Sequence, residues 1–435
     1  MLATLLAPAL TRRGIHYGWA VVAATFLVML ATAAAMGMPG VLIRPLSGEF
    51  GWSTGDISGA LALRLVLYGA VGPFAAAVLQ RHGLRATVAV AMLLIVAGLG
   101  LATQLRALWQ LWLCWGVLVG LGTGMTAMVL GATVATRWFT ARRGVVMGLL
   151  TASSATGSLA FLPLAAWLAA HDGWRMALLP AAFACLVAGG MMLLLGRDHP
   201  GELGLPAFGE RAVTHPPPPA GGAARLALTS LLEAARVPSF WMLFFTFFVC
   251  GLSTSGLVGT HFIPLCQDFG MAEVAAASVL AMMGAFDFVG TIGSGFLSDR
   301  FDSRKLLFAY YGLRGLSLLA LPFSTFSVYG LTLFAVFYGL DWIATVPPTV
   351  RLCAQLFGRE RAALVFGWVF AGHQLGAAVA ALGGGVTRDV LSSYVPAFLA
   401  SGVFCLFAAL AALAVRTGPA IPLRAAAAQG TAVVA

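Results

Sequence analysis

Five charged or titratable side chains interrupt long apolar stretches of the sequence: Arg64, Asp287, Arg314, Asp341 and His373. Each lies about 9–13 residues from one end of its stretch, which at about 1.5 Å per helical residue is a depth of about 14–20 Å. An ionisable side chain at the centre of a bilayer costs about 2.5–3.5 kcal/mol on insertion scales, so such residues are candidates for function by default. Two guanidinium groups, two carboxylates and an imidazole at one depth predict a connected site for a charged solute and for protons.

The partners of these charges are only partly fixed by the sequence. Arg314 lies on the predicted helix between those of Asp287 and Asp341, so it can reach either carboxylate. Such a pair is either architectural or part of a proton path, and we predict proton coupling through Asp287, Asp341, Arg314 and His373. Arg64 has no carboxylate at its depth in the first half of the chain. Its partner is therefore either across a cavity or an anionic substrate.

Hydrogen-bonding side chains accompany the charged set. Tyr68 follows Arg64 by one helical turn, Tyr338 precedes Asp341 by three residues, and Gln374 follows His373. A buried His is either simply hydrogen-bonded or part of a substrate or proton site, and the neighbouring amide favours the second interpretation. We predict that Arg64, Tyr68, Tyr338, His373 and Gln374 bind substrate.

The composition predicts which elements hold these side chains. The chain is 60% hydrophobic and 9% charged, whereas soluble domains have about 25% charged residues. Apolar runs of about 20 residues recur, the length of a membrane-spanning helix, and the period-2 alternation of a barrel strand is absent. We predict an all-α membrane protein with twelve transmembrane helices, at about 17–39, 53–77, 84–104, 109–135, 144–169, 174–196, 239–262, 271–297, 304–325, 327–350, 362–385 and 392–416.

The positions of Lys and Arg predict how the chain crosses the membrane. If both termini are cytoplasmic, only four of the 25 Lys and Arg residues lie on the outer side of the membrane, namely Arg44, Arg106, Arg175 and Arg388. This distribution is what the positive-inside rule expects. The net charge of +10 therefore reflects topology and does not indicate nucleic-acid binding. The short apolar run 1–10 precedes its arginines, the reverse of a cleaved signal, and is predicted to be a cytoplasmic tail. We expect a multi-pass protein of the bacterial inner (plasma) membrane.

The chain divides into two halves that repeat. A polar stretch with Pro216–Pro219 and Gly221–Gly222 cannot continue a helix and separates six predicted helices from six. Four pairs of landmarks are each 219 positions apart: Arg81 and Arg300, Arg142 and Arg361, Gly148 and Gly367, Gly157 and Gly376. We predict an N-terminal six-helix bundle (1–198), a cytoplasmic linker (199–237), a C-terminal six-helix bundle (238–416) and a cytoplasmic tail (417–435). Parallel repeats of this kind are a known transporter design, with the substrate between the halves.

A dense charge cluster follows the eighth predicted helix as GxxxDRxxxRK, formed by Gly295, Asp299, Arg300, Arg304 and Lys305. Asp299 can cap and pair near a helix end, and Gly295 lets a neighbouring helix approach closely. The cluster resembles the loop motif of the major facilitator superfamily, which lies after spans two and eight. That resemblance implies two pseudo-symmetric six-helix bundles, alternating access and a gating role for the motif.

The copy after the second predicted helix departs from this pattern. Arg81 and Arg85 are present, but Ala76 replaces the Gly and Gln80 replaces the Asp. The resemblance implies that the Asp helps to latch the outward-open state, so that latch is expected to be weaker in the first half. Membrane topology alone is the simpler explanation of the charges.

A second resemblance is to the monocarboxylate-transporter and oxalate/formate-antiporter branch of that superfamily. It rests on the stretch from Gly40-Val-Leu-Ile-Arg44 to Trp52 and on Asp287. Arg44 stands where those transporters carry a Lys involved in substrate and proton coupling, which implies that it also binds substrate. Those relatives place an Arg four residues after the Asp, where this chain has Thr291. Either the substrate differs or another cation binds it.

Motifs of enzymes and of ATP-driven pumps are missing from the sequence. It has no GxxxxGK[ST], no HExxH, no paired-cysteine motif and no GxSxG at a strand-to-helix turn. We predict a monomeric secondary transporter, with no cofactor and no metal, that moves a small monocarboxylate-like anion by proton symport or exchange. Proton-coupled efflux of amphipathic drug-like or siderophore-like compounds is the alternative. A non-transporting sensor would bind ligand without flux.

Overall fold

A computed structural model of the chain describes residues 2–126, 128–213, 223–358 and 362–416. The predicted tail 417–435, Arg361 and the linker residues Pro216–Pro219 and Gly221–Gly222 lie outside these ranges, and the side chains of Ala76, Gln80 and Asp299 are not described. In the described ranges the fold is all-helical apart from one isolated bridge between Phe139 and Phe208.

Eleven helices within the described residues are long and apolar enough to cross a membrane. They are spans one to four at Gly18–Gly37, Thr54–Ala75, Arg81–Ala102 and Leu108–Trp138, span six at Trp174–Leu195, and spans seven to twelve at Pro238–Asp268, Glu273–Ser298, Ser303–Phe323, Val328–Phe357, Leu364–Leu391 and Val395–Leu413. Span five is the helix Arg143–His171, whose apolar described part is Phe161–His171. Each predicted helix is therefore found close to its expected bounds.

Two faces of the molecule follow from the alternating direction of the spans. The connections 51–53, 103–107, 172–173, 269–272, 324–327 and 392–394 share one face, called here the distal face. The opposite face carries the described chain ends and is called the terminal face. A second helix, Pro39–Phe50, continues span one toward the distal face after a kink at Met38 and Pro39.

Two large apolar cores hold the spans together. One is built from residues of spans one to six, and the other mainly from spans seven to twelve. A small cluster joins them where Ala62 and Leu65 of span two pack on Ala377, Ala378 and Ala381 of span eleven. Small side chains let these two helices approach closely, as is common at helix contacts within membranes.

The region predicted to be an irregular linker contains ordered structure. Phe208 donates its backbone N–H to the Trp138 carbonyl at 2.8 Å and accepts from Thr140 N at 3.0 Å, which ties the linker to the first half. A helix, Ala223–Ala234, then precedes span seven, and its Ala227 carbonyl accepts from Trp368 Nε1 at 2.8 Å. The expectation of an irregular linker is wrong for this second part. Residues 2–12, predicted as a tail, also form a helix.

The close contact between spans eight and ten falls at Gly290. A Cβ atom on Gly290 would overlap the carbonyl oxygen of Leu340, whereas no described atom lies within 4 Å of a Cβ on Gly295. The close approach expected at Gly295 is therefore one and a half helical turns away from the place where the helices cross.

Gly290→Ala is expected to lower the melting temperature of the purified protein markedly, because the helices must separate to admit one methyl group. Overpacking of this kind costs about 1–3 kcal/mol. Gly295→Ala is the matched control on the same helix, with an expected shift close to zero. Thermal unfolding in detergent measures both, and equal shifts would contradict this packing.

Candidate substrate cavity

A cavity of about 290 Å³ lies between the two halves, at the level of the charged residues predicted from the sequence. Its lining includes Arg64 and Tyr68 from span two, Asp287 from span eight, and His373 and Gln374 from span eleven. Five of the predicted site residues are thus brought to one cavity from both halves of the chain.

Arg64 reaches the cavity from span two and is only 3% exposed. Its Nη1 donates to the carbonyls of Met36 at 3.2 Å and Ala35 at 3.5 Å. Pro39 has no N–H, so it leaves the Ala35 carbonyl without its usual helical donor, and the negative end of the helix dipole attracts the guanidinium. Arg64 Nε has no hydrogen-bond partner among the residues that the structure describes. No ion pair involves Arg64 within the described residues.

Asp287 faces the cavity from span eight and is 5% exposed. Its Oδ1 accepts from Ile343 N at 2.9 Å and from Thr291 Oγ1 at 3.0 Å. The Ile343 N–H can donate to Asp287 and not within a helix because span ten is interrupted between its helices Val328–Asp341 and Val346–Phe357. Thr291, which stands where the resemblance expects an Arg, is therefore a hydrogen-bond donor to Asp287. The cation of the cavity comes from span two instead.

The break in span ten lies just before Pro347 and Pro348, which occupy the first turn of its second helix. Backbone groups inside a membrane need partners, and spans eight and nine supply them here. Ser294 Oγ donates to the Ala344 carbonyl at 2.5 Å, and Arg314 Nη2 donates to the Trp342 carbonyl at 3.2 Å. The break is thus held by neighbouring helices while its residue Ile343 lines the cavity.

His373 and Gln374 form the span-eleven wall of the cavity. The imidazole stacks on Phe370, with ring centroids 5.6 Å apart, and contacts Phe247 at 5.1 Å. Gln374 Nε2 lies 3.3 Å from His373 Nδ1, and its Oε1 has no hydrogen-bond partner in the described part of the chain. The wall therefore offers an imidazole, an unpartnered acceptor and aromatic surface.

Arg314 and Asp341 form a separate buried cluster beside the cavity. Arg314 Nε donates to Asp341 Oδ2 at 2.7 Å, and the two side chains are 0% and 7% exposed. Arg314 Nη1 also donates to Cys250 Sγ at 3.0 Å. Tyr338 donates to the Ser253 carbonyl at 2.8 Å. The sequence left either Asp287 or Asp341 as the partner of Arg314, and in the structure Arg314 pairs with Asp341. None of Arg314, Asp341 and Tyr338 belongs to the described cavity lining.

Arg44 lies at the distal face rather than at the cavity. Its Nη2 pairs with Asp268 Oδ1 of the other half at 2.5 Å, and Arg388 Nε pairs with Asp268 Oδ2 at 3.0 Å. Asp389 of span eleven accepts from Thr54 N at 3.0 Å and Gly55 N at 2.6 Å at the start of span two. These contacts are called here the distal latch. The Arg44–Asp268 pair and the hydrogen bonds to Asp389 join the halves, so the geometry favours a gating role for Arg44 over substrate contact.

Asp268→Asn is expected to increase the population open at the distal face about fivefold, since partly exposed ion pairs contribute up to about 1 kcal/mol. Spin labels on Gly48→Cys and Ala272→Cys, one on each half, would report this as a longer distance population. All six native cysteines are buried, which favours selective labelling.

Glu49→Gln is the control on the same face. Glu49 Oε1 pairs with Arg175 at 2.5 Å within the first half. The hydrogen bonds from Arg175 and Trp174 lower the pKa of Glu49 to about 2, so this pair is charged throughout the pH range of the experiment. Loss of the Glu49–Arg175 pair leaves the contacts between the halves in place, so the distribution of distances between the spin labels should stay unchanged. An equal shift in both variants would contradict the latch.

The charged residues of the loop motifs make contacts within their own halves. Arg300 lies 3.9 Å from the Phe296 ring centroid, Arg304 pairs with Asp302 at 2.7 Å, and Arg85 Nε donates to the Leu193 carbonyl at 3.1 Å. Arg81 and Lys305 are exposed. The residue that caps span nine is Asp302, which accepts from Arg304 N at 2.9 Å. The side chain of Asp299 lies outside the description, and the gating role of the motif stays a prediction.

Several cavity residues escape the sequence analysis. Cys250, Thr254 and Ser255 of span seven line the cavity, and the last two lie in a π-helical segment, Leu252–Val258. π-Helical turns are frequent at functional sites. Hydropathy predicts neither where such a turn lies nor which way the Ser and Thr side chains on it point.

Within the described residues, eleven helices long and apolar enough to cross a membrane, together with the helix Arg143–His171, surround a cavity lined by a cation without an acidic partner. This is the architecture of a multi-pass membrane transporter. The profile of the Major Facilitator Superfamily matches residues 21–350 and 295–434, and the chain belongs to that superfamily. It is a transporter and not an enzyme.

Relatives across almost the whole chain support the narrower resemblance. Monocarboxylate transporter 13 of Rattus norvegicus is 27% identical over 395 residues, covering 90% of this chain and 87% of the relative. Monocarboxylate transporter 4 of Mus musculus is 24% identical, covering 91% and 83%. A D-xylose-proton symporter of known structure has a TM-score of 0.71 at 16% identity, covering 91% of this chain and 97% of its own, and shows the shared fold.

Proposed function

We propose that this protein moves a small organic anion bearing a carboxylate across the membrane, by proton symport or by exchange. The proposal places it in a bacterial plasma membrane with cytoplasmic termini, as a monomer. The observation that carries it is Arg64, a buried cation that lines the cavity and has no acidic partner among the described residues. An anion that enters the cavity can supply the missing charge, and it can accept from the unpartnered Nε.

Because the rest of the cavity is mainly apolar, the charge of Arg64 makes the cavity selective for anions. A guanidinium in a low-dielectric site prefers a desolvated anion with which it can form charge-assisted hydrogen bonds. The similarity to monocarboxylate transporters supports a carboxylate as that anion. Tyr68 lies one turn beyond Arg64 and can donate to the same group.

Asp287 is the proposed proton carrier. Its Oδ1 is occupied by Ile343 N and Thr291 Oγ1, which leaves Oδ2 to take a proton from the cavity. With a carboxylate on Arg64 and a proton on Asp287, the cavity contains one compensated ion pair and no further net charge from these groups. A compensated site crosses the apolar barrier during alternating access more readily than an unpaired charge.

The first experiment is uptake of radiolabelled lactate, pyruvate, formate and oxalate into proteoliposomes, with and without an inward proton gradient. Wild type is compared with Asp287→Asn and with Thr291→Val, which removes a hydrogen bond from Asp287 but keeps the carboxylate. Symport predicts that gradient-driven uptake falls at least tenfold in Asp287→Asn while exchange between preloaded and external substrate persists. Thr291→Val should retain the gradient response.

The outcomes separate the possibilities. Gradient-driven uptake at the wild-type rate by Asp287→Asn would remove Asp287 from the coupling path. Exchange without any response to the gradient in wild type would indicate antiport. If folded wild type neither binds nor moves any carboxylate, efflux of amphipathic compounds becomes the better explanation, and drug susceptibility of an overexpressing strain would test it.

A further inference from the structure

We infer that the preferred substrate is a monocarboxylate with an aromatic body and a hydrogen-bond donor at the end remote from its carboxylate. This inference rests on the proposed function and concerns the same cavity. It follows from an unpartnered acceptor on span eleven, from the levels along span two at which this acceptor and Arg64 are placed, and from the aromatic residues in the cavity lining.

The unpartnered acceptor is Gln374 Oε1. Gln374 is 4% exposed and lines the cavity, and its amide nitrogen is engaged by His373 Nδ1 at 3.3 Å. Its oxygen has no partner in the described structure. A buried acceptor left unpaired is unfavourable, so a ligand that donates an O–H or N–H here is favoured over one that does not.

The two polar groups are placed at different levels along span two. Gln374 packs against Gly69, where a Cβ would lie 2.6 Å from the Gln374 Cβ. Gly69 is five residues beyond Arg64 on the same helix, which is about 7.5 Å along its axis. The hydroxyl of lactate adjoins its carboxylate and matches this spacing less well than a donor placed further away, such as one across a ring from the carboxylate.

Part of the cavity lining is aromatic. Phe247, Phe370 and Trp342 contribute to the lining, and Phe370 already stacks on His373. Aromatic rings pack favourably on such surfaces in stacked or edge-to-face arrangements. The cavity volume of about 290 Å³ is many times the roughly 10–15 Å³ that a cavity needs to hold one water, so a three-carbon acid leaves part of it empty. A single substituted ring with a carboxylate side arm matches both the volume and the lining.

The test compares binding of four probes to the full-length protein in detergent: 4-hydroxyphenylacetate, phenylacetate, 4-methoxyphenylacetate and lactate. Calorimetry gives each Kd for wild type, Gln374→Leu and Arg64→Gln. Wild type should bind the hydroxy compound about tenfold more tightly than the other two arylacetates, since only the hydroxyl can donate to Oε1. In Gln374→Leu that ratio should fall to about one.

Each outcome bears on one claim. Equal affinity of wild type for the three arylacetates, or a tenfold ratio that survives in Gln374→Leu, overturns this inference. If Gln374→Leu does not fold, Gln374→Met provides the same comparison. Binding of lactate that requires Arg64, with weaker binding of every arylacetate, overturns the inference and leaves the proposed function standing. Binding of all four probes at wild-type affinity by Arg64→Gln overturns the proposed function itself.

Discussion

Uptake of carboxylates is expected to fall to the level of empty liposomes when Arg64 is replaced by Gln, while the yield of folded protein stays within about twofold of wild type. The loss follows from the position of Arg64, which is the described cation of the cavity lining. Charge-assisted hydrogen bonds to a buried carboxylate are about twice as strong as neutral ones. Substrate without this partner would bring an uncompensated charge into an apolar cavity.

Folding should tolerate this substitution because no described acidic group depends on Arg64. The hydrogen bonds that Arg64 makes are to the Ala35 and Met36 carbonyls. The shorter amide of Gln leaves no buried carboxylate exposed to an apolar environment. The loss of transport is thereby separable from a loss of fold, which size-exclusion profiles and melting temperature would verify.

Arg44→Gln is the matched control for this experiment, since the resemblance to monocarboxylate transporters also implies a substrate role for Arg44. In the structure Arg44 pairs with Asp268 at the distal face. Its neutralisation should alter the rate of transport through the latch but leave the Kd for substrate within about threefold. Two outcomes would indicate that the anion binds at Arg44 and not at Arg64: wild-type uptake by folded Arg64→Gln, or a loss of substrate affinity in Arg44→Gln alone.

Depth in the membrane is predictable from sequence, and the direction in which a side chain faces is not. Hydropathy and the positive-inside rule place the helices within a few residues of their bounds, and they bring Arg64, Asp287 and His373 to one level. Arg314 and Asp341 share that level but face each other inside the second half. Tyr338, one turn before Asp341, faces the same way toward Ser253. Rotation of each helix about its axis depends on its neighbours' packing, which one sequence does not reveal.

Local contacts are similarly hard to predict. The loop motif suggested a close helix contact at Gly295, and the structure has it at Gly290, because Leu340 of span ten crosses there. The cap expected near Asp299 has a counterpart in Asp302, three residues later. The register of such contacts depends on where a neighbouring span ends or breaks, while the capping role predicted for Asp299 itself stays a prediction.

Single neutralisation of the pair formed by Arg314 and Asp341 is expected to lower stability by about 3–5 kcal/mol, the usual effect of leaving one buried charge unpaired. Asp341→Asn leaves the fully buried guanidinium without its carboxylate, and Arg314→Gln leaves the carboxylate without its cation. Asp287→Asn is the comparison, because its two described donors are neutral and its shift should be much smaller. Chemical unfolding in detergent measures all three.

The double variant Arg314→Met with Asp341→Leu distinguishes an architectural pair from a proton path. Apolar replacement of a whole buried pair is often neutral or stabilising, so this variant should recover most of the stability lost by either single change. If the pair is architectural, the recovered protein also regains gradient-driven uptake, since the cavity lining of Arg64, Asp287 and His373 is untouched. If stability returns without gradient-driven uptake, Arg314 and Asp341 belong to the coupling path. Cys250, which contacts Arg314 and lines the cavity, would then be its point of entry.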